Sequence, residues 1–492
     1  MKKIFAILAC IACCTAGKAQ IYELSLEESI EIAKTQSLSM QSLMKDLDMA
    51  EYNLKATTAR LRTNITLNLT APDYSKTIST FEDTTGIWFY QQDMLRTSGS
   101  LVINQPLPTD GNIYIQANVR SFNDYFMDQR SSDLNTRIGF TQPIDAFYGY
   151  NNIRSALKTA KLQYEQTQKS LKRAELTLVY TVSASYYGLL SLQKSKEFAL
   201  MDLDRQSEAY EMSKKKFAAG LIREVEALQM EVDLADAQNT YDIAVLDQIA
   251  STNQFKELIG LELSDSVTLK NELIYEEVDV DSEAAVQYAL ENRLEIREME
   301  IRLEMQKMSL KQQKARGLPS IDLNAYYERV GVDRQALENG LGNSMSDTWM
   351  DFQRRPSNFG IGLNISIPIF DWGQNKALVR SAKARLEQLE INKEGDERSI
   401  ETEVRNLVSN LHSNLIRLRL LEKNIEVAEK SFAITLDRFS DGDIGSQDLA
   451  LERNRLNSAY NSHLTAYTAY QLSLADLTRK TFYDFRNNCP VE

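Results

Sequence analysis

Cysteine and histidine are scarce in this chain of 492 residues, which holds four cysteines and two histidines. Three of the cysteines lie within the first fourteen residues, so a chain that loses this leader keeps only Cys489 and cannot form an intramolecular disulfide. The histidines, His412 and His463, lie on different helical segments without a cysteine nearby. A zinc or copper site is therefore unsupported, and we expect neither a metal nor a cofactor.

Proline is also rare, and it is absent from residues 148–216 and 374–438. Because proline interrupts helices, these stretches predict two helices that each run without a break for roughly 100 Å. Beyond the leader, no apolar run reaches the length that a transmembrane helix requires. Any membrane crossing would therefore have to use a β-barrel.

Basic surface is lacking as well, since the formal net charge is −13. This charge argues against binding to nucleic acid, which needs a basic face for its phosphates. The sequence contains no Walker loop, and its scattered serines, histidines and aspartates do not define a catalytic arrangement. We therefore expect the chain not to be an enzyme.

The leader has the features of a signal peptide (1–19). Two lysines precede an apolar run, and Gly17 and Ala19 have the spacing of a signal-peptidase site, so the mature chain would start at Gln20. The rival prediction is a lipoprotein signal that ends at Cys10, Cys13 or Cys14. The apolar run before the first of these is too short, and the other two lack a leucine three residues earlier.

The rest of the chain follows one plan twice. A helical pattern over residues 26–62 recurs over 282–316, where Ala315 matches Ala59 (315 − 59 = 256). Strands, a long helix, a tip and a return helix follow in each copy, which indicates an internal duplication. The predicted domains are the signal peptide (1–19), a first repeat (20–262), an inter-repeat linker (263–281) and a second repeat (282–492).

A tip ends each long helix, at residues 217–228 and 439–450. Glycine ends a helix without steric cost at positive φ, and the apolar pattern resumes within a turn. Each stretch therefore predicts the tip of an αα-hairpin. Each tip pairs an aromatic residue with a glycine three positions later: Phe217 with Gly220, and Phe439 with Gly442.

Equivalent carboxylates follow the tip glycines by six positions, Glu226 in the first copy and Asp448 in the second. Because acids are common on solvated helix surfaces, each one taken singly fits a solvated charge equally well. Their matching positions make them the candidate site.

Strand patterns precede the long helix of each repeat. In residues 64–70 and 358–369 apolar and polar side chains alternate, and the polar face is mostly small and uncharged. This pattern fits a barrel with lipid outside and water within, although periodicity alone also allows a soluble sandwich. All three tryptophans lie in or beside these regions, either as an aromatic girdle or as core residues: Trp88, Trp349 and Trp372.

The strand region of the first repeat is 31 residues longer than that of the second (84 − 53 = 31). The additional residues contain a predicted hairpin, with strands around 101–103 and 112–119 and a turn at 108–111.

In their order and duplication, these features resemble the outer membrane factors, the TolC-like family of efflux channels. The resemblance rests on the duplicated helices, the strand exit at 367–373 that leads into a long helix, and the tips with an acid six residues after the glycine. It implies an α+β membrane protein, in which a trimeric outer-membrane β-barrel is continued by a long periplasmic α-helical barrel of αα-hairpins. It also implies a location in the Gram-negative outer membrane, extending into the periplasm.

The resemblance also implies roles for the tip residues. In this family a carboxylate ring lines the closed end of the tunnel, and Asp448 matches one of its positions. A further ring position falls on Leu451, for which the adjacent Glu452 is the substitute, while Glu226 holds the corresponding place in the first copy. The turns around Phe217, Gly220, Phe439 and Gly442 would form the face for adaptor docking.

The function implied is a passive exit channel of a tripartite efflux or secretion pump, gated at its periplasmic tips by adaptor docking. The implied partners are two further copies in a homotrimer, a periplasmic adaptor (membrane fusion) protein, an inner-membrane pump of RND, ABC or MFS type, and outer-membrane lipid. Members of the family usually contribute four membrane strands per chain, so the extra hairpin would either be extracellular, which we expect, or enlarge the barrel. The alternative is a trimeric coiled-coil envelope scaffold or adhesin without channel activity.

Overall fold

The computed structural model describes residues 21–270 and 273–491. The predicted signal peptide (1–19) lies outside these residues, as do two residues of the predicted linker. The chain forms two compact units, and each draws on both predicted repeats. The first unit takes its described residues from Met1–Leu47, Gln168–Glu298 and Lys393–Glu492, and the second is formed by Asp48–Thr167 and Met299–Asn392.

The described residues contain both helices and strands, in an order that is similar in the two halves of the chain. The elements of the first half are β1 (Ile21–Leu24), α1 (Leu26–Gln36), α2 (Leu38–Ala59), β2 (Asn64–Asp83), β3 (Gly86–Pro106), β4 (Asn112–Asp124), β5 (Gln129–Pro143), α3 (Asp145–Tyr148), α4 (Asn152–Ala218) and α5 (Glu224–Ile259). Those of the second half are β6 (Ser266–Leu269), α6 (Ser282–Asn292), α7 (Leu294–Ala315), β7 (Ser320–Ala336), a short 3-10 helix (Leu337–Asn339), α8 (Gly340–Arg354), β8 (Asn358–Ser366), α9 (Gln374–Asp441), α10 (Ser446–Thr481), β9 (Tyr483–Asp484) and β10 (Cys489–Pro490).

The two proline-free stretches form the long helices that the sequence predicts. Helix α4 has 67 residues and α9 has 68, and neither is interrupted. Apolar side chains spaced mainly by three, four and seven residues along α9 are buried: Ile400, Val404, Leu411, Leu415, Leu418, Phe432 and Phe439.

The helix before the strands is broken in both copies, although the sequence predicts one helix over 26–62 and one over 282–316. The breaks fall at Ser37 and Arg293, where the backbone is extended (ψ 137° and 121°), and their spacing equals the offset of the duplication (293 − 37 = 256). The Ser37 hydroxyl accepts a hydrogen bond from the Met40 amide at 3.3 Å, so it caps the following helix. Arg293 is buried and forms an ion pair with Glu403 at 2.8 Å.

Two short strands and the surrounding helices form the main core of the first unit. Strands β1 and β6 pair in parallel, from Ile21 opposite Ser266 to Leu24 opposite Leu269. The Tyr470 hydroxyl donates to the Glu276 carbonyl at 2.7 Å and accepts from the Val278 amide at 3.1 Å, so it ties an extended segment to this core. The largest fully buried side chains of the cluster include Leu189, Phe255, Leu411, Leu418 and Tyr470.

The second unit contains a six-stranded antiparallel sheet in the order β2-β3-β4-β5-β7-β8. The predicted hairpin of the first repeat is confirmed, because β3 pairs with β4 from Met94 opposite Asp124 to Pro106 opposite Asn112. The hairpin does not stand apart from the sheet but forms part of it. Both strands are inner strands whose backbone groups bond to neighbours on either side, so the alternation of side chains continues through them.

One face of this sheet is apolar and largely uncovered. On β8, Phe359, Ile361 and Leu363 are 81%, 79% and 55% exposed. A sandwich would bury these side chains against a second sheet, so the sandwich prediction is wrong for the described residues. The alternative that the tryptophans fill a core is wrong too, since all three are more than half exposed: Trp88, Trp349 and Trp372.

Helix α8 covers one end of the apolar face, where it packs on β5 and β7. Polar side chains anchor it there. The Ser344 hydroxyl donates to a carboxylate oxygen of Asp333 at 2.8 Å and lies 2.8 Å from the hydroxyl of Ser132. The Asp351 carboxylate accepts a 2.8 Å hydrogen bond from the Val332 amide. This helix was not predicted from the sequence.

Gly331 lets the helix approach the sheet closely. A Cβ atom at this position would lie 2.3 Å from the carbonyl oxygen of Thr348 and 2.6 Å from the Cβ of Phe352. Both contacts involve the helix backbone or its first side-chain atom, so a larger residue would have to displace α8.

The turn between β3 and β4 is bonded to the first turn of α4. The Asp110 carboxylate accepts hydrogen bonds from the backbone amides of Asn152 and Ile153, the latter at 2.7 Å. The Arg154 guanidinium donates to the Pro108 carbonyl at 3.1 Å. Asp110 thus caps the helix, and its negative charge is favourable at a helix N-terminus.

Within the part of the chain that the structure describes, no helix has an apolar stretch long enough to cross a membrane.

We predict that Gly331→Val displaces α8 and destabilises the second unit by about 1–3 kcal/mol, the usual cost of overpacking. Hydrogen exchange of peptides from residues 340–354 would measure the effect. The matched control is Gly362→Val on β8, because a Cβ there meets nothing within 4 Å. Equal protection of α8 in both variants would contradict the role of Gly331.

Candidate functional site at the helical tips

The two tips are built by the same backbone turn. We call residues 217–223 the first tip and residues 439–445 the second tip. Gly220 and Gly442 have φ values of 73° and 88°, a region that glycine adopts without strain. The predicted helix ends are therefore confirmed in both copies.

Each tip has the two hydrogen bonds of a Schellman motif. In the first, the Gly220 amide donates to the Phe217 carbonyl at 2.9 Å, and the Leu221 amide donates to the Lys216 carbonyl at 2.9 Å. In the second tip the corresponding bonds, to the carbonyls of Phe439 and Arg438, measure 3.2 and 3.0 Å. The spacing of aromatic residue and glycine thus reflects one turn geometry, in which the aromatic residue supplies a carbonyl acceptor.

The two aromatic residues differ in their surroundings. Phe217 is 43% exposed, whereas Phe439 is 3% exposed and belongs to a buried cluster. This cluster joins all four helices of the two hairpins near their tips, and its members include Ala209, Met230, Phe432, Phe439, Leu449 and Leu456.

Lys216 connects the two tips. Its ammonium group donates a hydrogen bond to the Phe439 carbonyl and lies 4.6 Å from the centre of the Phe439 ring. The contact combines a charge-assisted hydrogen bond with a cation–π interaction. Lys216 was not among the residues predicted from the sequence. The signal that could have identified it is its position in the last turn of a helix, where a positive charge is favourable.

The carboxylates six residues after each glycine occupy the same position in their helices. Glu226 is the third residue of α5, whose N-cap is Arg223, and Asp448 is the third residue of α10, whose N-cap is Gly445. Neither N-cap provides a side-chain hydrogen bond to the helix. Acids in the first turn complement the positive end of the helix dipole, so both positions favour a carboxylate on local grounds.

The three predicted aperture carboxylates differ in their ion pairs and hydrogen bonds. Glu226 forms an ion pair with Arg223 at 2.8 Å. Glu452 is only 15% exposed, accepts a 2.9 Å hydrogen bond from Ser431 and forms an ion pair with Arg455. Asp448 is exposed and makes no ion pair or side-chain hydrogen bond with any described residue. Of the three, Asp448 is therefore the carboxylate whose charge is not balanced within the described chain.

Charged side chains are also buried behind the tips, and no sequence pattern predicts their burial. Asp202 on α4 is 7% exposed, and burial raises the pKa of its carboxyl, an effect that the nearby Arg453 of α10 opposes. Asp233 on α5 is equally buried and accepts a 2.9 Å hydrogen bond from Gln229. Burying a carboxylate is costly unless it is paired, so Arg453 offsets part of this cost for Asp202 and Gln229 does so for Asp233.

Comparison with known proteins identifies the relatives of this chain. The model of a family described as "Outer membrane efflux protein" matches residues 30–261 and 285–481. The chain is 23% identical to outer membrane protein TolC of Vibrio cholerae over 360 residues, which cover 71% of this chain and 76% of that protein. It is 22% identical to the alkaline protease secretion protein AprF of Pseudomonas aeruginosa over 360 residues, 72% of this chain and 70% of the relative.

The fold also matches solved structures. The crystal structure of the outer membrane protein VceC from Vibrio cholerae aligns with a TM-score of 0.68 at 17% identity, and the alignment covers 95% of this chain and 97% of that one. At this level of identity the likeness shows the fold.

We predict that Gly442→Ala destabilises the end of α9 by about 1–2 kcal/mol, because alanine is strained at positive φ. Gly395→Ala is the matched control. That glycine lies inside α9 with open space around its Cβ position, so alanine there should stabilise the helix by up to about 1 kcal/mol. Hydrogen exchange of α9 peptides measures both effects. Shifts of the same sign in the two variants would contradict the turn assigned to the second tip.

Proposed function

The chain belongs to the outer membrane efflux protein family, and on this basis we propose that it is the exit channel of a tripartite efflux or secretion pump. Family membership confirms the resemblance predicted from the sequence and makes the chain an outer-membrane transport protein that extends into the periplasm. It is a channel protein rather than an enzyme.

The uncovered apolar face of the sheet carries this proposal. In water, exposed side chains such as Phe359 and Ile361 would forgo the free energy of burial, whereas lipid supplies an apolar surrounding for them. The other face carries small and polar residues, among them Asn364 and Ser366. We propose that this face lines a water-filled interior.

The edges of the sheet support a shared barrel. Its outermost strands, β2 and β8, each pair with only one neighbour among the described strands. Unpaired strand edges are not tolerated in lipid, so they require partner strands. We propose a homotrimer in which β2 of one copy pairs with β8 of the next. Three copies would supply 18 strands (3 × 6 = 18), and barrels of about this size leave an aqueous channel.

The gate is proposed to lie at the tips. In the trimer, three copies of Asp448 would approach one another at the closed end of an α-helical tunnel, and their mutual repulsion would favour bound cations. Glu226 and Glu452 would line the same aperture with charges that are already balanced by arginine. We propose that a periplasmic adaptor, joined to an inner-membrane pump of RND, ABC or MFS type, docks on the two tip turns and opens the gate.

We predict that Asp448→Ala lowers cation preference and block by multivalent cations in single-channel recordings from planar bilayers. Asp443→Ala is the matched control, because it removes an exposed acid from the second tip outside the proposed ring. Wild-type selectivity and block in Asp448→Ala would contradict the role of this carboxylate. If the purified protein forms extended rods and shows no conductance in the bilayers, this result would instead favour the coiled-coil scaffold or adhesin.

We further predict that Lys216→Met increases the open probability of the channel without an adaptor, since it removes the contact with Phe439. A hydrogen bond and a cation–π contact together contribute about 1–2 kcal/mol, which corresponds to roughly a 5–30-fold change in the equilibrium between closed and open tips. Lys215→Met, an exposed neighbour, is the control. Equal open probabilities for the two variants would exclude Lys216 as a latch.

A further inference from the structure

A groove lies between helix α8 and the apolar face of the sheet. It has a volume of about 740 Å³. Apolar side chains dominate its walls, with Leu341 and Met345 on the helix and Leu69, Leu95 and Val119 on the strands. We call it the α8 groove. The groove opens on the same face of the sheet as the exposed residues of β8. The strand register puts Leu69, Leu95 and Val119 on that side of the pleat.

The α8 groove lies far from the helix-joined end of the sheet. Strands β2 and β7 begin, and β5 and β8 end, at the side where the chain continues into helices. On β3, this end corresponds to Gln105, and the groove residue Leu95 lies ten residues away (105 − 95 = 10). At about 3.3 Å per residue and a strand tilt of about 40°, ten residues correspond to roughly 25 Å along the barrel axis. This is the height of the apolar band of an outer-membrane barrel.

A cationic side chain lies at that level. Arg130 lines the groove. It lies opposite Asn123 on β4, and Asn123 lies opposite Leu95 on β3, so Arg130 and Leu95 are at the same level of the sheet. Its Nε donates to the side-chain oxygen of Asn123 at 2.8 Å. Its Nη1 is buried and has no hydrogen-bond acceptor among the described residues. Arg130 is partly exposed where it lines the groove, and a phosphate oxygen is the kind of acceptor that a guanidinium group binds best.

We propose that the α8 groove binds lipopolysaccharide of the outer leaflet, with an acyl chain between α8 and the sheet and a lipid A phosphate on Arg130. The proposal rests on the proposed function, which makes the apolar face the lipid surface and puts the helix-joined end of the sheet on the periplasmic side. The groove continues the exposed apolar face, so an acyl chain can enter it sideways from the membrane. The half-exposed Trp349 on α8 fits this position, because tryptophan is enriched at membrane interfaces.

A second copy of the chain is the competing occupant. The proposed trimer joins through the backbone edges of β2 and β8, whereas the α8 groove opens on the side-chain face of the sheet. In that trimer the neighbouring copy pairs with the strand edges, and this pairing does not place any of its residues in the groove. Arg130 is the charged residue among the described residues that line the groove, and its positive charge favours an anionic occupant over an apolar protein contact.

The test uses the full-length protein, extracted from outer membranes in mild detergent and examined by native mass spectrometry. Diphosphoryl lipid A, dephosphorylated lipid A and phosphatidylcholine are the added probes. We expect the wild type to retain one diphosphoryl lipid A per chain in preference to the other two. Arg130→Gln should weaken diphosphoryl lipid A binding about ten-fold and leave dephosphorylated lipid A unchanged, while Arg130→Lys should keep most of the binding.

Two further variants test the apolar part of the groove. Leu341→Gln should weaken both forms of lipid A, because this side chain lines the groove. Met350→Gln is the matched control, since Met350 is a similarly exposed residue of α8 that does not line the groove. Lipid retention that is equal in all variants, or equal for all three probes, would overturn the proposal. A change in oligomeric mass in Leu341→Gln, with unchanged lipid retention, would assign the groove to a second copy.

Conductance of the same preparations in planar bilayers separates this inference from the proposed function. A protein that conducts without retaining lipid A would refute only the lipid site. A protein that does not insert or conduct would refute the channel.

Discussion

The apolar face that the chain leaves uncovered is the constraint on which the rest of the structure depends. Its side chains that are at least 40% exposed include eight aliphatic or aromatic ones on the two edge strands and β4: Ile65, Leu67, Leu69, Ile113, Phe359, Ile361, Leu363 and Ile365. At about 1.5–3 kcal/mol for each side chain, burying them would be worth roughly 12–24 kcal/mol as an upper bound. This gross gain is comparable with or larger than the ~5–15 kcal/mol net stability of a typical domain, so an apolar surrounding, which a single chain in water does not provide, would strongly favour this face.

The two tips show how a duplicated plan keeps its backbone while its side chains diverge. The turn depends on glycine at positive φ and on two amide–carbonyl bonds, and both copies keep these features. Side chains are under no such restriction. Phe439 is buried beneath Lys216, whereas Phe217 remains partly exposed. The two tips therefore share one backbone turn but make different contacts. The first tip supplies Lys216 and the second supplies the buried Phe439 that Lys216 contacts.

Much of this fold could be predicted from the sequence, because its signals are local. The absence of proline predicts α4 and α9, glycine after an aromatic residue predicts the tips, and strict alternation predicts β8. The break at Arg293 could not be predicted, since no proline or glycine marks it and the ion pair of Arg293 with Glu403 joins residues that are distant in sequence. Helix α8 was missed for a similar reason, because it depends on Gly331 and on polar contacts with other strands. At the candidate site, the positions of the carboxylates could be predicted. Their different partners could not, because the partner of Glu452 on α9 is set by packing between helices.

The bond between Asp110 and the first turn of α4 has a mechanical consequence. A helix of 67 residues that is clamped at its base behaves as a cantilever, which cannot pivot where it is fixed. Displacement of its free end must then be distributed as a small curvature over many turns, at little strain in any one hydrogen bond. The stiffness that the tip experiences thus depends on residues along the whole shaft, and the turn between β3 and β4 sets its fixed end.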